Sequence, residues 1–443
     1  MDFRNDIGYR KQALLKLLDS VTRHEQDIIE ALHADFKKPP FESVLTETSL
    51  VISELKDAIR KIRFRSRPKM VFPNILNFPS LDYIYPEPYG QVLIIAPWNY
   101  PYLLAMTPLI SAVSAGNSVV LKPSELTPNV ASILEIIIAE VFNPVHVEVF
   151  QGGAEVAEML VNRRWDYIFF TGSTTVGRRV AEAAAKNLTP ITLELGGKNP
   201  CIVDAGANLQ LAARRIVWGK FMNAGQTCIA PDYLLVHSGI KARFIELLKA
   251  EITAMFGQNP KQSKDFARII NAKQFDRLVN MIDATKVVCG GETDKAGLYI
   301  SPTVIDQPAI ESTLMAEEIF GPILPILAYN GFEDIGKMIS RYEKPLSLYV
   351  FAQDRKFIKK IIRDYSFGGG CVNDTVIQFS NKRLPFGGIG HSGIGRYHGK
   401  SGFDTFSHQK SVVKKATWLD IPLRYAPYEK KFSLIKKILK WFS

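Results

Sequence analysis

The sequence predicts an α/β protein in which a doubly wound, mostly parallel sheet is followed by a second α/β unit. From residue 91 onward, short apolar runs typical of buried parallel strands alternate with segments of helical composition. The same alternation starts again after residue 194. With 443 residues the chain is also long for one hydrophobic core, so two or three domains are expected.

The first part of the chain predicts helices and a connection. Up to about residue 65, apolar residues recur at helical spacing between charged ones. Residues 68–88 are rich in proline and aromatic residues, which is typical of a connection or an edge element. The strands predicted next are 92–95, 118–121, 147–150 and 167–170, with helices such as 130–141 and 176–186 between them. This order favours a nucleotide-binding sheet.

The second α/β series begins close to residues 194–197, where a domain boundary is predicted. Its strand candidates are 201–203, 233–236, 287–288 and 348–351, and its helix candidates are 242–255, 272–283 and 355–364. A boundary at this point would put Glu194 and Cys228 at an interdomain cleft, where ligands commonly bind.

Composition excludes several classes of protein. With 47% hydrophobic and 22% charged residues, the chain has the composition of an ordinary globular protein. Its four cysteines are scattered without CxxC spacing, which disfavours disulfide frameworks and zinc sites and favours a reducing compartment. The seven histidines show no metal-ligand spacing, so no metal site is predicted.

Charge and termini indicate a cytoplasmic protein. The N-terminus lacks the basic and then apolar pattern of a signal peptide, and no apolar run approaches the ~18 residues of a membrane span. The net charge of +11 is clustered locally, in residues 60–69 and in the C-terminal tail. Nucleic acid is therefore not an expected partner.

The strongest chemical signal is the pair Cys228 and Glu194. Cys228 follows a small, flexible Ala-Gly-Gln-Thr segment, and Glu194 ends an apolar strand before two glycines. A thiolate can serve as a nucleophile, and a carboxylate can activate water. Together the two residues would suit a thioester that is formed and then hydrolysed at one site.

Other motifs have a functional and a purely structural interpretation. The turn from Gly172 to Gly177 follows a strand and opens a helix, so with Ser173 it either binds phosphate or only reverses the chain. Lys122 and Glu125 follow another strand and could bind a ligand, although Glu125 could equally be a surface residue.

Two further loops also have both a functional and a structural interpretation. Asn99 could donate its amide to a developing oxyanion or satisfy backbone groups. Glu318 and Phe320 could position a ribose and a flat ring, or form a capped turn. His237 is the main candidate for a Cys–His pair with Cys228, against a structural role at a strand end.

The order of these motifs resembles the aldehyde dehydrogenase superfamily over essentially the whole chain. The matching stretches are Pro97-Trp98-Asn99, Leu121-Lys122-Pro123-Ser124-Glu125, Thr171-Gly172-Ser173, Glu194-Leu195-Gly196-Gly197-Lys198, Gly225-Gln226-Thr227-Cys228 and Glu318-Ile319-Phe320-Gly321-Pro322. The short N-terminus and the glycine-rich run from Leu384, continuing to His408, resemble the class 3, fatty-aldehyde-type branch.

The resemblance implies three regions and an assembly. Residues 1–194 would form a Rossmann-like NAD(P)-binding domain, with a bridging strand near 81–85. Residues 195–385 would form the α/β catalytic domain. Residues 386–443 would form a β-ribbon bridging and oligomerisation arm and a C-terminal amphipathic tail. Class 3 members are typically dimers, so a homodimer is expected.

The resemblance also implies roles for single residues. Cys228 would attack an aldehyde, Asn99 and the Cys228 backbone N–H would stabilise the oxyanion, and Glu194 would activate water. The cofactor would be NAD or NADP. Its binding residues would be Trp98 and Ser173 near the pyrophosphate, Lys122 and Glu125 at the adenosine ribose, Glu318 and Phe320 at the nicotinamide ribose, and Gly172 and Gly177 in the turn that opens the helix.

The predicted function is therefore NAD(P)-dependent oxidation of medium- or long-chain aliphatic, or aromatic, aldehydes to carboxylic acids. One alternative is a cysteine hydrolase of thioester or amide bonds that uses Cys228 and His237. Another is a non-catalytic protein that binds a membrane surface. In the tail, residues 430–442 place apolar residues between lysines, as in a helix lying on an anionic bilayer at the cytoplasmic face. A helix docked over the substrate entrance would show the same pattern.

Overall fold

The computed structural model describes residues 6–74 and 77–440 of the chain, so Trp441 and Phe442 of the predicted tail lie outside the described residues. The helices are α1 (Ile7–Arg23), α2 (Glu25–Phe36), α3 (Pro40–Ser43), α4 (Ser49–Arg65), α5 (Leu103–Ala115), α6 (Pro128–Val141), α7 (Ala154–Val161), α8 (Thr174–Ala185), α9 (Leu209–Phe221), α10 (Lys241–Phe256), α11 (Ala272–Val279), α12 (Thr313–Ala316), α13 (Phe332–Ile339), α14 (Arg355–Asp364), α15 (Gly399–Thr405) and α16 (Phe432–Lys440).

Strands occupy most of the segments between these helices. They are β1 (Lys69–Val71), β2 (Ser80–Pro88), β3 (Gln91–Ile95), β4 (Ser118–Lys122), β5 (Val147–Val149), β6 (Tyr167–Thr171), β7 (Ile191–Glu194), β8 (Pro200–Val203), β9 (Tyr233–His237), β10 (Val287–Cys289), β11 (Thr293–Asp294), β12 (Tyr299–Ile300), β13 (Thr303–Asp306), β14 (Ile323–Tyr329), β15 (Ser347–Phe351), β16 (Gly369–Val372), β17 (Gly393–Ile394) and β18 (Ser407–Lys415).

The N-terminal helices form because each presents an apolar stripe to one core. Asp6 caps α1 by accepting a hydrogen bond from the Tyr9 backbone N–H at 2.9 Å. Leu14 and Leu17 of α1 and Leu55 of α4 are fully buried. They pack with α5, every residue of which is buried because it lies between these helices and the first sheet.

The first sheet has the strand order β17-β7-β6-β3-β4-β5, and only β17 is antiparallel to its neighbour. From β3 the chain continues outward to β4 and β5, then returns to the other side of β3 with β6 and β7. This reversal creates a switch point between β3 and β6. In doubly wound sheets, ligands bind beyond the carboxyl ends of the two strands at such a point.

The second sheet has the order β10-β13-β14-β9-β8-β15-β16, and β10 alone is antiparallel to its neighbour. Its central strands are fully buried, as the apolar runs predict. Helices α9 and α10 pack against each other over one face. The predicted α/β class is confirmed.

A third, antiparallel sheet has the order β1-β2-β18 and forms an arm. The C-terminal part of the chain returns to the first sheet before it forms β18 of the arm. There β17 pairs with β7, and α15 contacts α4 and α5. The segment 386–443 thus divides between the first sheet and its core, the arm, and the tail. The helix expected over 272–283 ends earlier, at Val279, because the backbone turns at Asn280. Among the described residues, no helix is long and apolar enough to cross a membrane.

Candidate active site

Two loops meet at the switch point of the first sheet. The loop after β3 carries Trp98 and Asn99, and the turn after β6 carries Gly172 and Ser173. The Ser173 side chain caps α8 by accepting a hydrogen bond from the Val176 backbone N–H at 3.4 Å. The parallel arrangement therefore brings together two motifs that lie more than 70 residues apart in the sequence.

The loop that carries Cys228 is fixed by amide side chains. After α9 the backbone takes a left-handed conformation at Asn223 and Ala224, with φ of 56° and 51°. The Asn223 side-chain amide donates to the carbonyl oxygens of Asn99, at 2.9 Å, and Gln226, at 3.2 Å. The Asn99 amide nitrogen also donates to the Gln226 carbonyl, at 3.2 Å. Asn99 is thus held beside the cysteine loop.

Cys228 lies between two cavities. One, of about 250 Å³, is lined largely by apolar side chains. The other, of about 270 Å³, contains the loops of the switch point together with Glu194. Among the described residues that line them, Cys228 alone borders both cavities. One residue thus forms part of the wall of both cavities.

The apolar cavity is built by helices of the first core and by loops of the second sheet. Its lining residues are Leu45, Thr46, Leu50, Tyr100, Leu103, Leu104, Trp218, Met222, Thr227, Cys228, Ile229, Val376, Ile377, Phe379 and Ser380. The Tyr100 hydroxyl bonds the Thr227 hydroxyl at 2.7 Å, which satisfies both polar groups next to Cys228. The cavity therefore suits an apolar ligand.

Burial disfavours the charged forms of both Cys228 and Glu194. Burial, with smaller contributions from Glu318 and Glu194, raises the pKa of Cys228 to about 12. Burial also raises the pKa of Glu194 well above its usual value of 4.5. Neither carboxyl oxygen of Glu194 has a hydrogen-bond partner among the described residues. A group with free lone pairs inside a cavity is available to a ligand or to water.

The second cavity collects most of the predicted cofactor residues. Trp98, Gly172, Ser173, Glu318 and Phe320 all line it. The Trp98 and Phe320 rings meet edge to face with their centroids 5.3 Å apart. Flat side chains, a helix N-terminus and a carboxylate thus face one space.

Backbone shape lets Glu318 approach this cavity. A Cβ atom at Gly196 would lie 2.1 Å from Glu318 Oε2, so only glycine leaves room for the carboxylate. Phe320 has a φ of 49°, which turns the chain sharply after Glu318. Burial raises the pKa of Glu318 to about 8. Thr171 Oγ1 is buried at the cavity wall and has no hydrogen-bond partner within the part of the chain that the structure describes, as expected for a surface that accepts a polar ligand such as NAD or NADP.

The loop that carries Glu318 is held by Arg277 and Asp232, two charged residues that the sequence motifs did not single out. The Arg277 guanidinium donates to the carbonyl oxygens of Glu318, at 3.2 Å, and Ile319, at 2.7 Å. Asp232 accepts from the Ile319 backbone N–H at 2.9 Å and from Lys198 at 2.5 Å. Arg277 and Gln274 also line the cavity. Their helical sequence looks like any solvated surface, so no local signal marks them.

Three predicted residues do not line this cavity. Lys122 is buried and donates from Nζ to Glu125 Oε2 at 2.7 Å, so the two form a pair at the end of β4. Gly177 lies within α8, where an added Cβ would come within 2.7 Å of the Leu195 side chain. This glycine permits α8 to pack closely on the segment after β7.

The proposed Cys–His pair is not formed. His237 lies at the end of β9, where its Nδ1 accepts from the Gly239 backbone N–H at 3.2 Å and its ring packs on Tyr329. It borders neither cavity at Cys228. The hydrolase alternative is therefore not favoured. Among the described residues no cluster could hold a metal ion, and all four cysteines are free.

Known proteins resemble this chain along its length. A family model described as the aldehyde dehydrogenase family matches residues 4–412. The 4,4'-diaponeurosporen-aldehyde dehydrogenase of Staphylococcus aureus is 46% identical, over 98% of this chain and 95% of the relative. Aldehyde dehydrogenase family 3 member A2 of Pongo abelii is 42% identical, over 98% and 91%. The dimeric NADP-preferring aldehyde dehydrogenase of Canis lupus familiaris is 42% identical, over 95% and 93%.

Solved structures agree with these matches. A substrate-bound structure of Staphylococcus aureus AldH superposes with a TM-score of 0.96 at 45% identity, covering 98% of this chain and 95% of that one. An aldehyde dehydrogenase of Mycobacterium tuberculosis in complex with NAD+ superposes with a TM-score of 0.83 at 28% identity, covering 93% and 86%. The chain therefore belongs to the aldehyde dehydrogenase family, in its class 3 branch, and oxidises aldehydes with NAD or NADP.

Proposed function

We propose that Cys228 is the nucleophile and that Glu194 activates the water that releases the acid. The observation that carries this proposal is the position of Cys228 on both cavities. An aldehyde in the apolar cavity and a nicotinamide in the other would meet at one sulfur. Asn99 and the Cys228 backbone N–H supply the donors for the oxyanion.

The chemistry divides between these residues in two stages. The Cys228 thiol releases its proton to solvent, its sulfur forms a bond to the carbonyl carbon as the C=O π bond breaks, and the carbonyl oxygen becomes an oxyanion beside the Asn99 amide. The chemistry that NAD or NADP would supply when bound is a hydride acceptor for that carbon. The acyl group then remains on the sulfur as a thioester. Glu194, in its carboxylate form, takes a proton from water, whose oxygen attacks the acyl carbon and displaces the thiolate.

The substrate is a medium- or long-chain aliphatic, or an aromatic, aldehyde. None of the described residues that line the apolar cavity has a charged side chain to pair with a polar substrate. An aldehyde with a large apolar body gains free energy there in proportion to the surface removed from water. The Staphylococcus aureus relative, named for 4,4'-diaponeurosporen-aldehyde, is consistent with this class.

The cofactor residues extend from the nicotinamide end to the adenosine end. Glu318 and Phe320 would hold the nicotinamide ribose, and Trp98, Gly172, Ser173 and the turn before Gly177 would hold the pyrophosphate. Lys122 and Glu125 would bind the adenosine ribose. Glu125 repels a 2′-phosphate and Lys122 attracts it, so their 2.7 Å pair is compatible with NAD and leaves NADP usable.

Cofactor binding, catalysis and subunit contact are assigned to the three parts of the chain built on the three sheets. Residues 1–194 bind the cofactor, 195–385 carry the nucleophile, and the arm of β1, β2 and β18 bridges two subunits in a cytoplasmic homodimer. The name of the dimeric canine relative supports the dimer. Helix α16 carries Lys436, Lys437 and Lys440, and its exposed Phe432 and Leu434 favour a peripheral contact with a membrane at the cytoplasmic face.

An NADH-formation screen tests the activity. Aldehydes from acetaldehyde to hexadecanal and benzaldehyde are compared with NAD and with NADP, for the wild-type protein and for Cys228→Ser. We expect turnover to increase with chain length and to disappear in the variant, because serine is not a comparable nucleophile at neutral pH. Full activity of the Cys228→Ser variant would refute the covalent mechanism.

A further inference from the structure

A small pocket with polar walls, here called the polar pocket, adjoins the apolar cavity at Cys228. Its volume is about 20 Å³, and it lies between α4, α5 and the segment that leads into α15. The residues that line both the polar pocket and the apolar cavity are Leu50, Leu103, Phe379 and Ser380. The other lining residues are Ser53, Glu54, Thr107, Lys382 and His398. Hydrogen-bonding groups thus lie directly beside the apolar cavity.

The His398 ring is fixed in the wall of the polar pocket. Its backbone φ is 84°, a left-handed conformation that residues other than glycine rarely adopt. The ring meets Phe379 and Tyr397 edge to face, with centroids 4.4 Å and 4.5 Å away, and stacks on Phe386 at 5.4 Å. A backbone conformation of this kind persists only where the surroundings enforce it, and such positions cluster at ligand sites.

The imidazole of His398 is buried without a full set of hydrogen bonds. His398 is 6% exposed, and its Nε2 has no hydrogen-bond partner within the part of the chain that the structure describes. Burial lowers the pKa of His398 to about 3, which favours the neutral ring with one N–H donor and one acceptor. A buried polar atom without a partner is uncommon in native structures and points to a water or a ligand that completes it.

The charged groups of the polar pocket balance each other. Lys382 Nζ donates to the carbonyl and hydroxyl oxygens of Ser53, both at 2.8 Å. Glu54 Oε1 accepts a hydrogen bond from the Gly399 backbone N–H at 2.9 Å. A carboxylate entering the pocket would meet Glu54, and an ammonium group would meet Lys382. An uncharged polar group is therefore favoured over either ion.

The size of the polar pocket suits one polar atom. A cavity can hold a single water molecule once its volume reaches about 10–15 Å³. A hydroxyl group is about as large as water, and it both donates and accepts, as the neutral imidazole does. We propose that the polar pocket binds a hydroxyl group at the far end of the aldehyde chain, while the apolar part of that chain occupies the adjoining cavity.

This inference rests on the proposed function, in which the aldehyde carbon lies at Cys228. Because the pocket and the sulfur have fixed positions, one chain length should place both ends of the substrate correctly. In a cavity without such a site, the hydroxyl would lose its hydrogen bonds to water whatever the chain length. The two cases therefore differ in how the effect of the hydroxyl depends on chain length.

The test is NADH formation with unsubstituted aldehydes from octanal to hexadecanal and with the ω-hydroxyaldehydes of the same lengths. The readout is the ratio of kcat/KM for the hydroxyaldehyde to kcat/KM for the unsubstituted aldehyde. We expect this ratio to peak at one chain length. The peak should fall about ten-fold in His398→Phe, which keeps an aromatic ring but has no ring nitrogen. The matched control is His237→Phe, which should keep the wild-type peak because His237 lines neither the cavities at Cys228 nor the polar pocket.

The wild-type series alone can overturn the inference, so the test does not depend on the folding of a variant. A ratio that stays flat or only declines with chain length would show that the pocket holds water only. A peak that persists in His398→Phe would also overturn the inference, since the hydroxyl would then bind elsewhere. Absence of NADH formation with every aldehyde would refute the proposed function and this inference together, whereas a flat ratio with active unsubstituted aldehydes refutes this inference alone.

Discussion

Replacing Glu194 by Gln tests both the chemistry and the energetics of the site. Glutamine has nearly the same shape but cannot act as a base. General-base catalysis typically contributes about 10²–10⁴-fold, or about 3–5 kcal/mol of barrier. We therefore expect the variant to keep a first burst of NADH, since acylation does not use Glu194, and to lose steady-state turnover by that factor. Rapid-mixing absorbance at 340 nm measures both phases.

The same substitution should stabilise the fold at neutral pH. Burial raises the pKa of Glu194 above its unfolded value of 4.5, so the neutral form is favoured in the folded state. As pH rises from 4.5 towards the pKa of Glu194 in the folded protein, the free energy of unfolding of the wild type falls relative to that of the variant. The difference changes by up to about 1.4 kcal/mol per pH unit. Urea unfolding at pH 5, 6 and 7 measures the difference. A missing burst, or a stability difference that does not change with pH, would refute this reasoning.

Three further predictions concern the surroundings of the sulfur. Because burial raises the pKa of Cys228 to about 12, its alkylation by iodoacetamide in cofactor-free protein should keep accelerating beyond pH 9, as followed by peptide mass spectrometry; a plateau near pH 8 would contradict this. Leu50→Asp places a charge in the apolar cavity, so it should raise KM for decanal about ten-fold or more and change KM for acetaldehyde little. Equal effects on both aldehydes would count against binding of the substrate in this cavity. Glu42 accepts a hydrogen bond from the Asn223 backbone N–H at 3.0 Å, so Glu42→Ala should displace the cysteine loop and lower kcat by about ten-fold. The control Glu30→Ala, at an exposed residue, should leave kcat unchanged. An unchanged kcat for Glu42→Ala would show that the loop keeps its position without this bond.

Much of the fold was predictable because the local signals agree with the packing. The apolar runs of β3, β6 and β8 are long enough and apolar enough to specify buried parallel strands. The N-terminal helices were predictable from helical spacing of leucine and isoleucine. The end of α11 was not, because residues 280–283 keep helical composition while the backbone turns away.

The candidate site was predictable where a motif carries its own chemistry. Cys228, Glu194 and Asn99 come together because the loop after β3, the end of β7 and the loop after α9 meet around one cavity. Arg277 was missed because its role consists of two hydrogen bonds to carbonyl groups distant in the sequence. The left-handed Asn223 and Ala224 were missed for a related reason: tertiary hydrogen bonds, and not local preference, stabilise that conformation.

The separation of the two cavities at Cys228 bears on the order in which products are released. In the proposed mechanism aldehyde and nicotinamide would occupy different cavities, so the reduced cofactor would be able to leave while the acyl group is still bound to Cys228, and its departure would free space for the attacking water. A bulky hydrocarbon inhibitor bound in the apolar cavity would leave the affinity for the dinucleotide unchanged. Such a compound should compete with aldehyde and not with NAD.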